Sequence, residues 1–570
     1  MNRIVKFMAI AAMALSSASC LDLTSKEDVS DSNLWDEAGD FQLFANKFYD
    51  WLPNFGMVYA DNVHCDRHSD LLSYDQGRDA QACGIHTVPE SDGDYTGAYD
   101  RIRRCNLLIQ NAEKFTGNHE EIRQPLGEAY FFRAWNYFQL LQKFGDVIIV
   151  DKTIDTDSPL LFSSRNDRAE VADFIISDLW TASELLKPTA DVVEGRVGSE
   201  GALGLLSRVG LFEGTWQINH KNNETRGRAF CAEAAKAAKQ VIQGGKFWLF
   251  YNQVLGDASQ KYMFILENVQ SNGAGLTKAD NHEYIIKRCF DPELKTIGRN
   301  LTTEIFFQHQ RVNSKFADLY LCQDGLPIGK SSQFMGREKL ISEWQNRDHR
   351  MRYTLCQPGD DFWNNQNSRI DWSGSDAEIA AAAKRNAIPS GGTGYWHQKW
   401  CTERNVLDGQ QSFDWPVLRY AEVLLNYAEA TFEANGGQIS DEDLNISLNL
   451  TRTRVNKQMP LLSNAFVSTH GLDMREEIRR ERTIELFQEG FRYDDLRRWK
   501  TAEVEMPMDV TGIVWTGEWQ EKWAVPGVPV NADGRLVVES ERQFLPKHYL
   551  FPLPSSQLQL NPNLKQNPGW

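Results

Sequence analysis

Hydrophobic positions recur with a helical period over much of this chain, and Asp473–Lys500, DMREEIRRERTIELFQEGFRYDDLRRWK, shows the pattern most clearly. Wound at about 100° per residue, it places Ile484, Phe487 and Phe491 on one face and Met474, Ile478 and Leu486 on the far side. Apolar surface on two opposed faces predicts a helix enclosed between neighbours. Yet Arg482, Glu485 and Glu489 run as a charged stripe alongside Ile478. A buried charge persists only when paired and hydrogen-bonded, so the stripe predicts an internal Arg/Glu lattice with partners on adjacent helices.

The same period organises the rest. Phe41–Leu52 reads as a first helix, stopped by Pro53 and Gly56. Tyr95–Phe115 and Ile122–Phe144 read as an antiparallel pair, the second buried on two sides and capped by Gly145. Arg168–Leu186, Glu200–Trp216 and Thr225–Gln243 continue the series. Successive helix pairs without strands between them predict a mainly α fold, a tetratricopeptide-like helical repeat scaffold, although no strict repeat is found by letter matching. From 245 to 413 the helical period fades, Gly, Asn, Asp and Trp become frequent, and Tyr284–Lys287 reads as a short strand. Helix resumes over Trp415–Asn435, where Glu422, Asn426, Glu429 and Glu433 form a polar stripe, and continues over Asp441–Arg454. The chain therefore divides into a signal peptide at 1–19, a tether at 20–40, a helical part at 41–244, a loop-rich insert of the same domain at 245–413 and a C-terminal part at 414–570.

Arg3 and Lys6, the apolar run Phe7–Leu15 and the small residues Ser16–Ser19 form a secretory signal that ends at Cys20. Its apolar run is too short to span a bilayer. Cys20 after small residues resembles a lipobox, with Ser17 at the −3 position, and its acylation would moor the protein to a membrane. The net charge of −17 argues against nucleic acid or anionic lipid as a main partner. Eight further cysteines are widely and irregularly spaced, which gives no support for a metal site and leaves any pairing open.

Enzyme motifs are missing: there is no GxSxG elbow, HExxH or phosphate-binding GxxxxGK[ST]. Trp344–Arg352, WQNRDHRMR, holds a His–Asp neighbourhood, read here as a surface turn with an Arg/Asp pair.

Several long segments resemble one family in the right order. These are EGFRYDDLRRWK, GEAYFFRAWNYFQLLQKFGDV, KFADLYLCQDGLPI, EWQNRDHRMRYTLCQPG, RYAEVLLNYAEA and the closing KHYLFPLPSSQLQLNPNLKQNPGW. Together they identify the chain as a member of the SusD/RagB family. The resemblance implies an outer-membrane, surface-exposed lipoprotein that captures a nutrient without altering it. It also implies no cofactor and a SusC-like TonB-dependent transporter as partner. A glycan or oligosaccharide is the leading ligand. The alternatives are peptide uptake on the same fold and a surface glycoside hydrolase. Sugar rings call for flat aromatics against their C–H faces and for Asp, Asn and Arg around their hydroxyls. Two non-helical stretches supply that mixture: Asp66, Arg67, His68, Tyr74 and Asp75, and then Trp363, Asn365, Trp372, Tyr395 and Trp396. The first is favoured because the loop after the first helix contributes ligand contacts in starch-binding relatives. Asp70 lies in HSDLL, which resembles a recurrent structural element of the family.

Overall fold

Short polar side chains start the helices of the N-terminal half. A computed structural model describes residues 35–55, 66–74, 77–306, 310–339, 341–357, 361–363, 368–369, 392–402, 409–518 and 529–570. Helix α1 (Ala38–Asn46) tightens into a 3₁₀ turn at Lys47–Trp51. Asp92 accepts hydrogen bonds from the Asp94 and Tyr95 N–H groups to cap α2 (Gly93–Lys114). Asn118 caps α3 (His119–Phe144) and Asp167 caps α4 (Arg168–Leu185) in the same way. Helix α5 (Ser199–Asn219) follows, and Asn223 caps α6 (Glu224–Gly244). Gly145 ends α3 at φ 77° and Gly245 ends α6 at φ 62°, conformations that carry no steric cost for glycine.

From α2 to α6 each helix packs against the next, which makes a helical stack. The chain then leaves the stack for the loop-rich excursion and returns to it. Strand β6 (Trp415–Arg419) leads into α7 (Tyr420–Ala434), and α7 packs onto α6 as the next member of the stack. Short α8 (Leu448–Arg452), α9 (Met474–Glu485) and α10 (Arg492–Trp499) close around it, α9 against α7 and α10 against α5. Among the described residues the sheets are all two-stranded and antiparallel. Strand β1 (Leu72–Tyr74) pairs with β3 (Gln310–Val312), and β2 (Tyr284–Arg288) pairs with β6. β4 (Asp361–Trp363) pairs with β5 (Ser368–Arg369), and β7 (Val510–Val514) with β8 (Arg535–Glu539). The architecture is mainly α, as the periodicity predicts.

Three boundaries differ from the sequence reading. Asp473–Lys500 is two helices, because Gln488 and Gly490 adopt left-handed backbone at φ 60° and 82°. Phe491 consequently leaves the face of Ile484 and Phe487 and packs with Met474, Ile478 and Leu486. The predicted helix from Trp415 begins only at Tyr420: Pro416 disfavours helix at Trp415, and the first five residues pair with β2 instead. Asp441–Arg454 breaks at Ser447, whose hydroxyl donates to the Asp443 carbonyl at 2.5 Å, leaving the separate turns Asp441–Asn445 and α8.

Close packing of α5 on α6 depends on glycine. A Cβ added at Gly214 would meet Cys231 Sγ and lie 2.8 Å from the Gly227 carbonyl oxygen, a backbone atom that cannot rotate away. We expect Gly214→Leu to lower unfolding stability by about 3 kcal/mol or more, measured by chemical denaturation. An unchanged midpoint would show that the two helices separate without cost.

Candidate functional site

Helix α9 carries the charged stripe into the protein interior, where Glu485 is enclosed. Its Oε1 accepts from Arg419 at 2.8 Å and Arg454 at 2.7 Å, and its Oε2 from Arg350 at 3.2 Å and Gln260 at 3.1 Å. Glu489 accepts from Arg419 through two nitrogens at 2.7 Å and from Lys399 at 2.6 Å. Glu283, from the excursion, takes Arg419 at 2.7 Å and Arg454 at 3.0 Å. Arg482 reaches Asp495 and Asn426, each at 2.8 Å. The polar stripe on α7 is likewise buried and matched: Glu422 with Arg208, Glu429 with Arg498 and the Trp499 indole N–H, Glu433 with Arg475. Burial alone would raise the Glu485 carboxyl. The surrounding Arg454, Arg419 and Arg350 outweigh it and hold the group at about 2.

The corner after α9 joins the two stretches singled out as ligand candidates. The Gln488 backbone N–H donates to Asp66 Oδ2 at 2.6 Å, while the Gln488 carbonyl accepts from the Trp400 indole at 3.3 Å. Lys399 donates to the Phe487 carbonyl at 2.6 Å. One turn later Arg492 grips both oxygens of Asp70 at 2.8 Å, and Lys315 adds a contact at 2.5 Å. Phe55 lies among Trp400 at 5.4 Å, Phe413 at 5.4 Å and Trp415 at 4.9 Å between ring centres. The segments that flank 56–65, 358–391 and 403–408 are therefore fastened to one aromatic and ionic floor.

Several candidate residues belong to that floor rather than to a surface. Asp66, Arg67 and His68 are buried; Arg67 and His68 both bond Asp79 at 2.9 Å. Tyr395 is 2 % exposed with its hydroxyl donated to Glu343, and Trp396 is 4 % exposed in the main core. The structure places these five inside, where the sequence reading expected ligand-facing side chains: Asp66, Arg67, His68 and Tyr395 bond within the chain, and Tyr395 and Trp396 belong to the core. Tyr74 and Trp363 lie on β1 and β4. Asp75, Asn365, Trp372 and Cys20 lie outside the described residues. Asp79, Lys399, Gln488 and Arg492 escaped the sequence reading as site-forming residues. Arg492 and Lys399 were visible only as charges near aromatics, and the Gln488 corner has no letter signature.

The His–Asp neighbourhood resolves differently from its sequence reading. Asp348 bonds Arg350 at 2.7 Å in the interior, not on a surface turn, and His349 instead meets Asp257 at 2.7 Å on the outside. Glu194, Cys289 and Asp414 each place one ligand atom within 4.8 Å of the others. Lys278 already holds Asp414 at 2.6 Å and Lys287 pairs with both acids, so a cation would have to displace two ammonium groups. The described cysteines are free thiols.

Comparison with known proteins decides the family. The SusD family model matches residues 271–570, more than half the chain. The chain belongs to the SusD family. A second family model, described as "Starch-binding associating with outer membrane", matches residues 23–211 of this SusD-family chain. A SusD-like protein from Formosa agariphila is 24% identical over 86% of this chain and 90% of its own length. Another from Bacteroides ovatus is 30% identical, but the match spans only 29% of that relative. A 33% identical stretch of a further Formosa agariphila SusD-like protein covers 18% of its length. Among solved structures, a SusD-like carbohydrate binding protein from Bacteroides fragilis superposes with a TM-score of 0.72 at 21% identity. That superposition covers 93% of this chain and all of the other. Surface glycan-binding protein A from Bacteroides fluxus has the same fold at a TM-score of 0.59 and 20% identity, covering 93% and 99% of the two chains.

Two pH effects of opposite sign follow. Glu485 and Glu429 sit at about 2, below the ordinary 4.5, because neighbouring arginines outweigh burial. Their contribution is complete above pH 4.5 and lost as the pH falls toward 2. Asp66 is the reverse: burial raises it from 3.8 to about 7 against the Gln488 and Arg492 N–H groups. Its contribution is full below 3.8 and lost as the pH rises toward 7. Melting curves should therefore show acid loss between about pH 4.5 and 2 in wild type and Asp66→Asn alike. Asp66→Asn keeps an acceptor for Gln488 and should flatten the decline between about pH 4 and 7. An equal decline in both proteins would remove Asp66 as its source.

Proposed function

We propose that this SusD-family chain is a non-catalytic, outer-membrane-associated glycan-binding lipoprotein, moored through Cys20, that hands an oligosaccharide to a SusC-like TonB-dependent transporter. The reading is carried by the two family matches, which together take in most of the chain and include a starch-binding, outer-membrane-associated description. Support comes from the carbohydrate-binding and glycan-binding descriptions of proteins with the same fold. No helix among the described residues is long and apolar enough to cross a membrane, which fits attachment through a lipid.

The floor geometry fits a binder. Buried ion pairs hold described residues near the candidate stretches, while the side chains proposed to touch sugar are Tyr74, Asp75, Trp363, Asn365 and Trp372. A preorganised floor reduces the ordering cost of binding, and an aromatic platform of this kind gives affinities of about −4 to −8 kcal/mol. Acid–base hydrolysis needs two carboxyl groups flanking the scissile bond. The dense acidic clusters of this chain are instead committed to arginines.

Calorimetry with candidate oligosaccharides separates the roles of the tryptophans. Trp363→Ala and Trp372→Ala should each weaken binding at least tenfold without changing the melting temperature. Trp396→Ala should instead lower stability by about 3–5 kcal/mol, since it empties a core position. Full binding by both Trp363→Ala and Trp372→Ala would dismiss the platform, and release of reducing sugar by the pure wild type would dismiss the non-catalytic reading.

A further inference from the structure

A second cleft of about 250 Å³ opens on the helical stack, lined among others by Trp51, Arg101, Trp135, Gln139, Arg208 and Phe491. The antiparallel register of α2 and α3 builds its mouth. Tyr95 meets Phe144, with ring centres 5.2 Å apart, and Arg133 donates to Asn106 at 2.8 Å. Counting inward from both contacts puts Arg101 level with Phe138 and Gln139. Its guanidinium stands 5.9 Å from the centre of the Trp51 ring.

The other charged groups of this cleft are matched. Arg208 is held by Glu422, Arg482 by Asp495 and Arg498 by Glu429. Asp94 is held by Lys143, Asp494 by Arg497 and Gln142, and Glu489 by Lys399 and Arg419. Arg101 differs. It is half-buried, and among the described residues it has the Trp51 ring for company but no carboxylate and no carbonyl acceptor. The Gln139 amide and the Trp135 indole N–H are likewise not given to any acceptor there. A cavity wall thus presents a planar guanidinium with free donors, two indoles and an amide, in a chain whose net charge is −17.

We propose that this cleft binds a sugar ring bearing a carboxylate, a uronate-type residue, through residues other than those of the loop platform. The inference rests on the glycan reading above. A guanidinium fork takes both oxygens of a carboxylate, which an ammonium cannot do in the same geometry. The partly exposed Trp51 ring offers apolar surface to a pyranose, Trp135 being buried between Phe131 and Arg208, and the Gln139 amide serves a ring hydroxyl. The volume falls below the roughly 300–1,000 Å³ of drug-sized sites, so the occupant is one ring rather than a chain. A neutral sugar would leave the Arg101 charge unanswered in a half-buried setting.

Calorimetry or saturation-transfer NMR on the full mature chain tests this, with sodium galacturonate as probe and galactose as its neutral counterpart. Wild type should bind galacturonate at least tenfold more tightly than galactose. Arg101→Gln should lose that preference, and Arg101→Lys should recover only part of it. Binding of a neutral oligosaccharide to the platform should be unchanged in Arg101→Gln, which also reports that the variant is folded. Equal affinity for the two sugars, or a preference that survives in Arg101→Gln, overturns the inference while leaving platform binding intact. Galacturonate binding that depends on Arg101, with no oligosaccharide binding sensitive to Trp363 or Trp372, would uphold the cleft and overturn the platform instead.

Discussion

Arg350, Arg419 and Arg454 come from three separate parts of the chain and converge on the single carboxylate of Glu485, with no water-exposed surface on any of the four side chains beyond about 1%. Moving such charges out of water costs several kcal/mol each, and only near-complete hydrogen bonding offsets it. The lattice is therefore a poor source of net stability and a strong source of specificity. Glu283 and Lys399 belong to the loop-rich excursion, Arg419 to the strand that leads back, and Glu485 and Glu489 to the corner near α9. Displacing any one of these segments leaves charges buried without partners. Among its described residues the excursion has only short helices, so this mutual dependence is what sets those residues in one place on the stack.

From that constraint follows a division of labour among the non-helical segments. Segments that touch the lattice are fixed: Asp66 through Gln488, Asp70 through Arg492, and the 395–400 strip through Lys399 and Trp400. Their side chains are used up in the fixing. The ligand contacts proposed above accordingly fall to residues beyond these attachments. Superposition with a solved SusD-like protein at a TM-score of 0.72 and only 21% identity shows that the fold persists through extensive change of sequence.

Much of the fold was legible in the letters because its long helices repeat the 3.6 period for four or more turns. Helices α2 to α6 fall within a few residues of their sequence bounds. The Arg/Glu stripe was legible for a different reason: charge next to apolar positions on an enclosed helix admits only internal pairing. Lost from view were features set by single dihedral angles and by long-range partners. The Gln488–Gly490 corner splits what the period reads as one helix, and β6 exists because β2 lies beside it, 127 residues away at its outermost pair, Arg288 with Trp415. The site was the least legible part. Aromatic and acidic residues outside helices have the same composition whether they face solvent or form a core, so the burial of Tyr395 and Trp396 could not be read from the letters.

Burial of those two aromatics changes the physical picture of recognition in a useful way. A buried tryptophan such as Trp396 cannot stack on a sugar, but it orders the chain around it, and order already present is a cost that binding need not meet. The same logic separates the platform from the Arg101 cleft. The platform proposed above would draw its selectivity from whichever side chains its segments carry. The cleft is cut into helices whose register is locked by Tyr95–Phe144 and Arg133–Asn106, so its selectivity rests on one guanidinium in a rigid wall. A chain with net charge −17 repels anions at long range. A half-buried cation such as Arg101, without a carboxylate partner among the described residues, can reverse that preference locally, within the Debye length of about 8 Å at physiological salt.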